Sequence, residues 1–251
     1  MTTPLSRRAV LRRATFITAG AAIGSSLVAT PGHAAVKHAD PDGVRKATQR
    51  ARQRRDRVLT GIPSKNGWEM EKVADDHGTI YTRPVPGTPL EGVTVRMGEV
   101  ETVLVHLIRR FHYEIGELRR GDVVGWRSPG TVRKGLPESN QASGTAVQIR
   151  PDHYPAGARG GFFPQQQLVI RDILAELDGV VRWGGDQGRW TDEALFSIDV
   201  KPGDIRLADV VNTIRGWQDQ SGQGAGSPVD VASRPRREAA AALELRQRKS
   251  G

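Results

Sequence analysis

Two stretches constrain this chain more than any others. From Glu99 to Glu117, Val100, Val103, Leu104, Leu107, Ile108, Phe111 and Ile115 recur at helical spacing. From Pro164 to Leu177, Leu168, Val169, Ile173, Leu174 and Leu177 do the same, with Pro164 placed for a first helical turn. Each stretch predicts a helix with one apolar face, which needs a surface to be buried against. The remaining apolar residues come in short runs of strand length: Val93–Arg96, Asp122–Trp126, Gly144–Arg150, Val180–Trp183 and Leu195–Val200. A strand pair around His77-Gly78, within Trp68–Arg83, and a last helix over Ile205–Trp217 complete the set. Helices and short strands joined by mostly short connections predict one α+β domain over 61–218, with a small, mostly antiparallel sheet and packed helices. Outside it, 36–60 reads as a basic helical linker with a thin apolar stripe (Val44, Ala47, Ala51, Val58). The stretch 219–251 reads as a disordered Gly/Ser/Pro linker and a basic tail, in which Ala239–Arg248 is an isolated helix without a packing partner.

The first 35 residues predict export. Arg7-Arg8 precede an uncharged run of 16 residues, Ala14–Ala29, and then Pro31-Gly32-His33-Ala34-Ala35, a turn with small residues suited to a signal peptidase. The paired arginines indicate the twin-arginine route. The run contains Gly20 and Gly24 and is shorter than the roughly 20 residues that span a bilayer, so cleavage is expected rather than anchoring. The expected location is extracellular or cell-wall associated.

Removing this segment lowers the formal charge from +9 by its four arginines, 9 − 4 = +5. Much of that excess lies in Arg45–Arg57 and Arg234–Lys249, without interleaved aromatic residues, which argues for solvated faces rather than a nucleic-acid surface. The chain has no cysteine, so disulfides, thiolate metal sites and cysteine nucleophiles are excluded. There is no Gly-x-Ser-x-Gly elbow. Gly157-Ala158-Arg159-Gly160-Gly161 lacks the phosphate-loop ending and reads as a flexible loop. His106 and His112 stand six apart on the first helix and share no ligating face.

Two blocks carry a resemblance. Ser139-Asn140-Gln141-Ala142-Ser143-Gly144-Thr145-Ala146-Val147-Gln148-Ile149 is similar to the Ser-x-His-x-x-Gly-x-Ala-x-Asp-Ile signature of the D-alanyl-D-alanine carboxypeptidases and dipeptidases of the VanY/VanX type. The related L-alanyl-D-glutamate endopeptidases of phage share that signature. Trp183-Gly184-Gly185-Asp186 and Asp192-Glu193-Ala194-Leu195-Phe196 resemble the second block of the family, Trp-Gly-Gly-Asp followed by Asp-x-x-His-Phe. Gly125-Trp126-Arg127-Ser128 resembles the Gly-Tyr-Arg-Ser that precedes the first block. The resemblance covers about residues 95–200 and implies a D-Ala-D-Ala peptidase-like fold.

Carried over position by position, the three zinc ligands of the family fall on Gln141, Gln148 and Leu195. Catalytic zinc takes imidazole, thiolate or carboxylate and keeps one position for water, so these residues imply no metal and no cofactor. Asp192 falls at the place of the general base, as a vestige of it, and Arg127 at that of an oxyanion-steadying arginine. Asp192 as a turn residue and Arg127 as a surface strand residue are the plain alternatives. Ser139, Trp183 and Asp186 are expected to line the cleft. The resemblance implies a secreted, non-catalytic peptidase relative that binds a peptidoglycan stem peptide or a secreted protein, with no nucleic acid or membrane partner. Two alternatives stand beside it: an active cell-wall hydrolase using Asp192, His153 and a metal, and a structural or partner-binding protein whose cleft is filled by Leu195 and the two glutamines.

Overall fold

The computed structural model describes residues 41–249, and the chain from Pro41 onward forms one compact unit. The order is α1 (Pro41–Val58), β1 (Leu59–Pro63), β2 (Glu69–Glu71), β3 (Ile80–Arg83), β4 (Val93–Arg96), α2 (Glu99–Glu114), β5 (Val123–Val124), α3 (Ser139–Ala142), β6 (Ala146–Ile149), α4 (Pro164–Glu176), β7 (Val181–Trp183), β8 (Leu195–Ile198), α5 (Ile205–Gln218) and α6 (Arg234–Lys249). The class is α+β with small antiparallel sheets, as the spacing of apolar residues predicts. No described helix is long and apolar enough to cross a membrane.

The central sheet has the order β5-β6-β8-β7, with every neighbouring pair antiparallel. Its register pairs Val147 with Phe196, Phe196 with Trp183, and Ile198 with Val181. Side chains alternate across a strand, so these residues and Ile149 share one face. That face forms a single core with Leu104, Leu107, Ile108 and Phe111 of α2, Ile170, Ile173 and Leu174 of α4, and Leu207, Val211 and Ile214 of α5. Each fully buried aliphatic or aromatic side chain contributes about 1.5–3 kcal/mol through removal from water, which is why these two amphipathic stretches dominate the fold. The opposite face carries Ala146, Gln148, Leu195, Ser197 and Arg182, again in register (Ala146↔Ser197, Ser197↔Arg182, Gln148↔Leu195).

The N-terminal third covers one end of this second face. The turn Ser64–Gly67 is fastened to α3 and the sheet: Lys65 N–H donates to Ser139 Oγ at 2.9 Å and Asn66 N–H to Asn140 Oδ1 at 3.1 Å. Asn66 Nδ2 donates to Thr145 Oγ1 and to Ile198 O, both at 2.8 Å. Trp68 Nε1 donates to Val200 O at 2.8 Å. Gly144 in the first signature block is required here, because its φ is +67° and a Cβ would stand 2.7 Å from the Arg96 backbone nitrogen.

Three expectations are corrected. The strand pair around His77-Gly78 does not form: β2 pairs back with β1, and β3 pairs forward with β4. The buried Glu71 carboxylate accepts from Thr79 N–H and, at 2.6 Å, from Thr79 Oγ1, while Asp75 and His77 adopt positive φ, so the chain turns instead of pairing. The stretch 219–251 is not a disordered tail over its described part. Arg236 of α6 pairs with Asp172 at 2.5 Å and Glu176 at 2.8 Å on α4, and Leu243 is buried in the main core. The glycine-rich stretch 157–161 is pinned, since Glu193 accepts from Gly160 N–H at 2.7 Å and Gly161 N–H at 2.8 Å.

Candidate functional site

The second face of the central sheet brings four of the positions singled out in the sequence together. Gln148 and Leu195 are direct cross-strand partners of β6 and β8, which places their Cα atoms roughly 5 Å apart. Gln141, on the one-turn helix α3, reaches the same place from above. Its Nε2 donates to Val124 O at 3.2 Å and Gly125 O at 3.0 Å, and Val124 is the β5 partner of Gln148. Asp192 completes the group from the loop before β8. Gln148 Nε2 donates to Asp192 Oδ2 at 2.7 Å, and Ala194 N–H donates to Asp192 Oδ1 at 3.1 Å.

The second block owes its shape to Gly184. A Cβ there would lie 2.3 Å from the Asp192 carbonyl oxygen, so only glycine lets the Asp192 loop fold back onto the end of β7. Asp192 N–H then donates to Gly184 O at 3.2 Å. Trp183 Nε1 donates to Glu193 O at 2.8 Å and braces the loop from the core side.

This centre is closed. Gln141 is 0% exposed, Leu195 2%, Asp192 7% and Gln148 8%. Burial, with the Glu138 carboxylate nearby, pushes the Asp192 carboxyl above its ordinary range against the hydrogen bonds from Gln148 and Ala194 N–H. Gln141 Oε1 is buried and has no hydrogen-bond partner among the described residues. The two glutamines do not bond to each other; one is spent on Asp192 and the other on the carbonyls at the end of β5. As a zinc site the residues do not fit. They offer two neutral amides whose nitrogens face the protein's own acceptors, and a leucine with no lone pair. Among the described residues no three His, Asp or Glu side chains gather to hold a metal.

The other candidates are dispersed. Ser139 is fully buried, donating to Leu136 O at 2.6 Å and accepting from Lys65 N–H, so it is a staple and not a cleft residue. Trp183 is 3% exposed and belongs to the helix-side core, opposite the face on which it was expected. Asp186 forms a two-point ion pair with Arg171 of α4, though it also borders a groove. Arg127 is half-buried beyond β5 and makes no ion pair among the described residues. His153 is exposed beside Tyr154, whereas the partners of Asp192 are Gln148 and Ala194, so the proposed Asp192–His153 pair has no contact to support it.

Beside the closed centre, further along β8, the same face opens into a groove of about 690 Å³, the size of a small-ligand pocket. Ser197 and Asn140 lie at its floor, the Lys65–Gly67 turn and Lys201 border it, and the 186–190 loop with Trp190 rises over it. No spacing in the sequence marks this groove. Its residues come from five separate segments; Asn140 and Asp186 lie in the two blocks quoted above, and only the alternation along β8 places Ser197 on the face of Leu195. No family model, no curated protein and no solved structure matches this chain.

Proposed function

We propose that this chain is an exported, non-catalytic relative of the zinc D-alanyl-D-alanine peptidases that binds wall peptide, or a protein presenting a peptide, without cutting it. One observation carries the reading. The positions expected for two ligands and the general base adjoin on one sheet face, yet the contact made there is an amide-to-carboxylate hydrogen bond, Gln148 to Asp192, capped by Leu195. Such a centre, built of amides, a carboxylate and a leucine, has no group that lowers the pKa of a water toward 7. Asp192, the expected base, is engaged by two donors and shielded from solvent. The signal segment that supports export lies outside the described residues.

The burial of all four centre residues also supports a second reading, in which the face is a scaffold and nothing binds near it. One experiment separates the two. The protein lacking residues 1–35 is incubated with purified peptidoglycan and with soluble stem peptides, and both retention and peptide mass are followed. The proposal expects retention with intact peptides. Release of shortened peptides refutes the non-catalytic assignment, and absence of retention favours the scaffold.

A further inference from the structure

The groove beside the closed centre has an electrostatic character of its own. Its border contains five cationic side chains, Lys65, Arg182, Arg189, Lys201 and Arg248, against two carboxylates, Asp186 and Asp199. Both carboxylates are already paired, Asp186 with Arg171 and Asp199 with Arg182 at 2.9 Å. Arg248 is held by Glu244 at 2.6 Å. Lys65, Arg189 and Lys201 have no acidic partner among the described residues, and all three are exposed. Concave surfaces lined by one sign of charge concentrate ligands of the opposite sign.

The floor adds hydrogen-bonding capacity. Asn140 uses its Oδ1 to accept from Asn66 N–H, and its Nδ2 has no partner among the described residues. Ser197 Oγ likewise has none, although Ser197 is only 6% exposed. Both residues border the groove, so a bound molecule meets one amide donor and one hydroxyl. The three cations without an acidic partner come from separate segments: Lys65 from the turn before β2, Arg189, 5.4 Å from the Trp190 ring, from the loop after β7, and Lys201 from the turn after β8. None of the three lies in the first turn of a helix, the arrangement that favours a single phosphate group.

We infer that this groove is a binding site for an extended acidic peptide, with carboxylates met by Lys65, Lys201 and Arg189 and main-chain amides met by Asn140 Nδ2 and Ser197 Oγ. The inference rests on reading the chain as a peptide-binding protein and adds where the peptide lies and what charge it carries. The peptide runs alongside the closed centre and not through it.

The test uses fluorescently labelled tetraglutamate, tetraglutamine and tetralysine peptides in anisotropy titrations against the chain lacking residues 1–35. Tetraglutamate is expected to bind at least ten-fold more tightly than tetraglutamine, with affinity falling as salt rises, and tetralysine not to bind. The surface double variant Lys65→Ala/Lys201→Ala is expected to weaken tetraglutamate binding at least ten-fold with an unchanged Tm, and Arg189→Ala to weaken it further. Equal binding of tetraglutamate and tetraglutamine overturns the inference, as does full binding by the double variant. Inorganic triphosphate displacing the peptide at lower concentration than unlabelled tetraglutamate also overturns it, assigning the groove to phosphate. Failure here and failure of the proposed function are distinguishable. Peptidoglycan retention that survives Lys65→Ala/Lys201→Ala removes the groove and keeps the function; tetraglutamate binding without peptidoglycan retention does the reverse.

Discussion

Placing zinc-ligating side chains at positions 141, 148 and 195 tests the geometry of the closed centre. The perturbation is the triple variant Gln141→His, Gln148→Asp, Leu195→His. Leu195 is 2% exposed, so a histidine there loses apolar packing and buries a polar ring, which costs about 2–4 kcal/mol without a partner. Gln148→Asp replaces the amide that donates to Asp192 at 2.7 Å with a second carboxylate, so a buried acid loses its donor and gains a like charge. The metal-free triple variant is therefore destabilised by on the order of 4–5 kcal/mol, a Tm lowered by about 10–15 °C for a chain of this size. If the three positions face one point, zinc in large excess returns roughly 4 kcal/mol, the stabilisation expected near 1,000-fold over Kd. Thermal melts of parent and variant, each with EDTA and with zinc, read this directly. The account expects a zinc-dependent rise of about 10 °C in the variant alone. A folded variant with no larger zinc response than the parent refutes the claim that these three positions face one point.

Four further outcomes follow from the same structure. Asp192→Asn raises Tm at pH 7. The folded-state pKa of Asp192 is raised, so its protonated form stabilises the fold at low pH and that contribution is lost as pH rises through the folded value. A drop in Tm at pH 7 contradicts this. Glu176 behaves oppositely. Burial raises its pKa, but His106, Arg110 and Arg236 hold it down to about 2, so its contribution is complete above the unfolded value near 4.5 and is lost as pH falls toward 2. Amide exchange in α6 is expected to accelerate over that window and not between pH 6 and 8. Arg236→Ala removes contacts at 2.5, 2.7 and 2.8 Å to Asp172 and Glu176. Arg110 still neutralises Asp172, so the loss is about 2 kcal/mol, confined to α6 and visible as faster exchange over 234–249. Gly184→Ala drives a methyl to 2.3 Å from the Asp192 carbonyl and costs about 2–3 kcal/mol or more, checked by urea denaturation.

The parts of the fold legible in the sequence were those with a period. The apolar spacing of 99–117 and 164–177 identified α2 and α4, and the short alternating runs located β4 to β8 within a residue or two at most ends. The two signature blocks were legible as neighbours because each contains a strand of the central sheet, and Gln148 and Leu195 proved to be cross-strand partners. Long-range polar contacts were not legible. The tail read as isolated because its apolar content is low; its docking depends on Arg236 reaching Asp172 and Glu176, about 60 residues away in sequence. The direction of Trp183 was missed for a different reason. The aromatic residue suggested a cleft wall, but its register with Phe196 puts it on the helix side of the sheet. Lys65, Ser197 and Lys201 carried no signal at all, since a groove assembled from a turn, a strand and a loop leaves no spacing to read.

Gln148, Asp192 and Leu195 adjoin on one face of the central sheet, and this closed arrangement offers no ligand set for a metal. The most direct measurement is elemental mass spectrometry on the chain purified without chelator, offered zinc in slight excess and desalted. The account predicts far less than one zinc per chain, unchanged by Asp192→Asn. One zinc per chain, lost on Asp192→Asn, contradicts it, because it shows that Asp192 ligates a metal in spite of its hydrogen bond from Gln148.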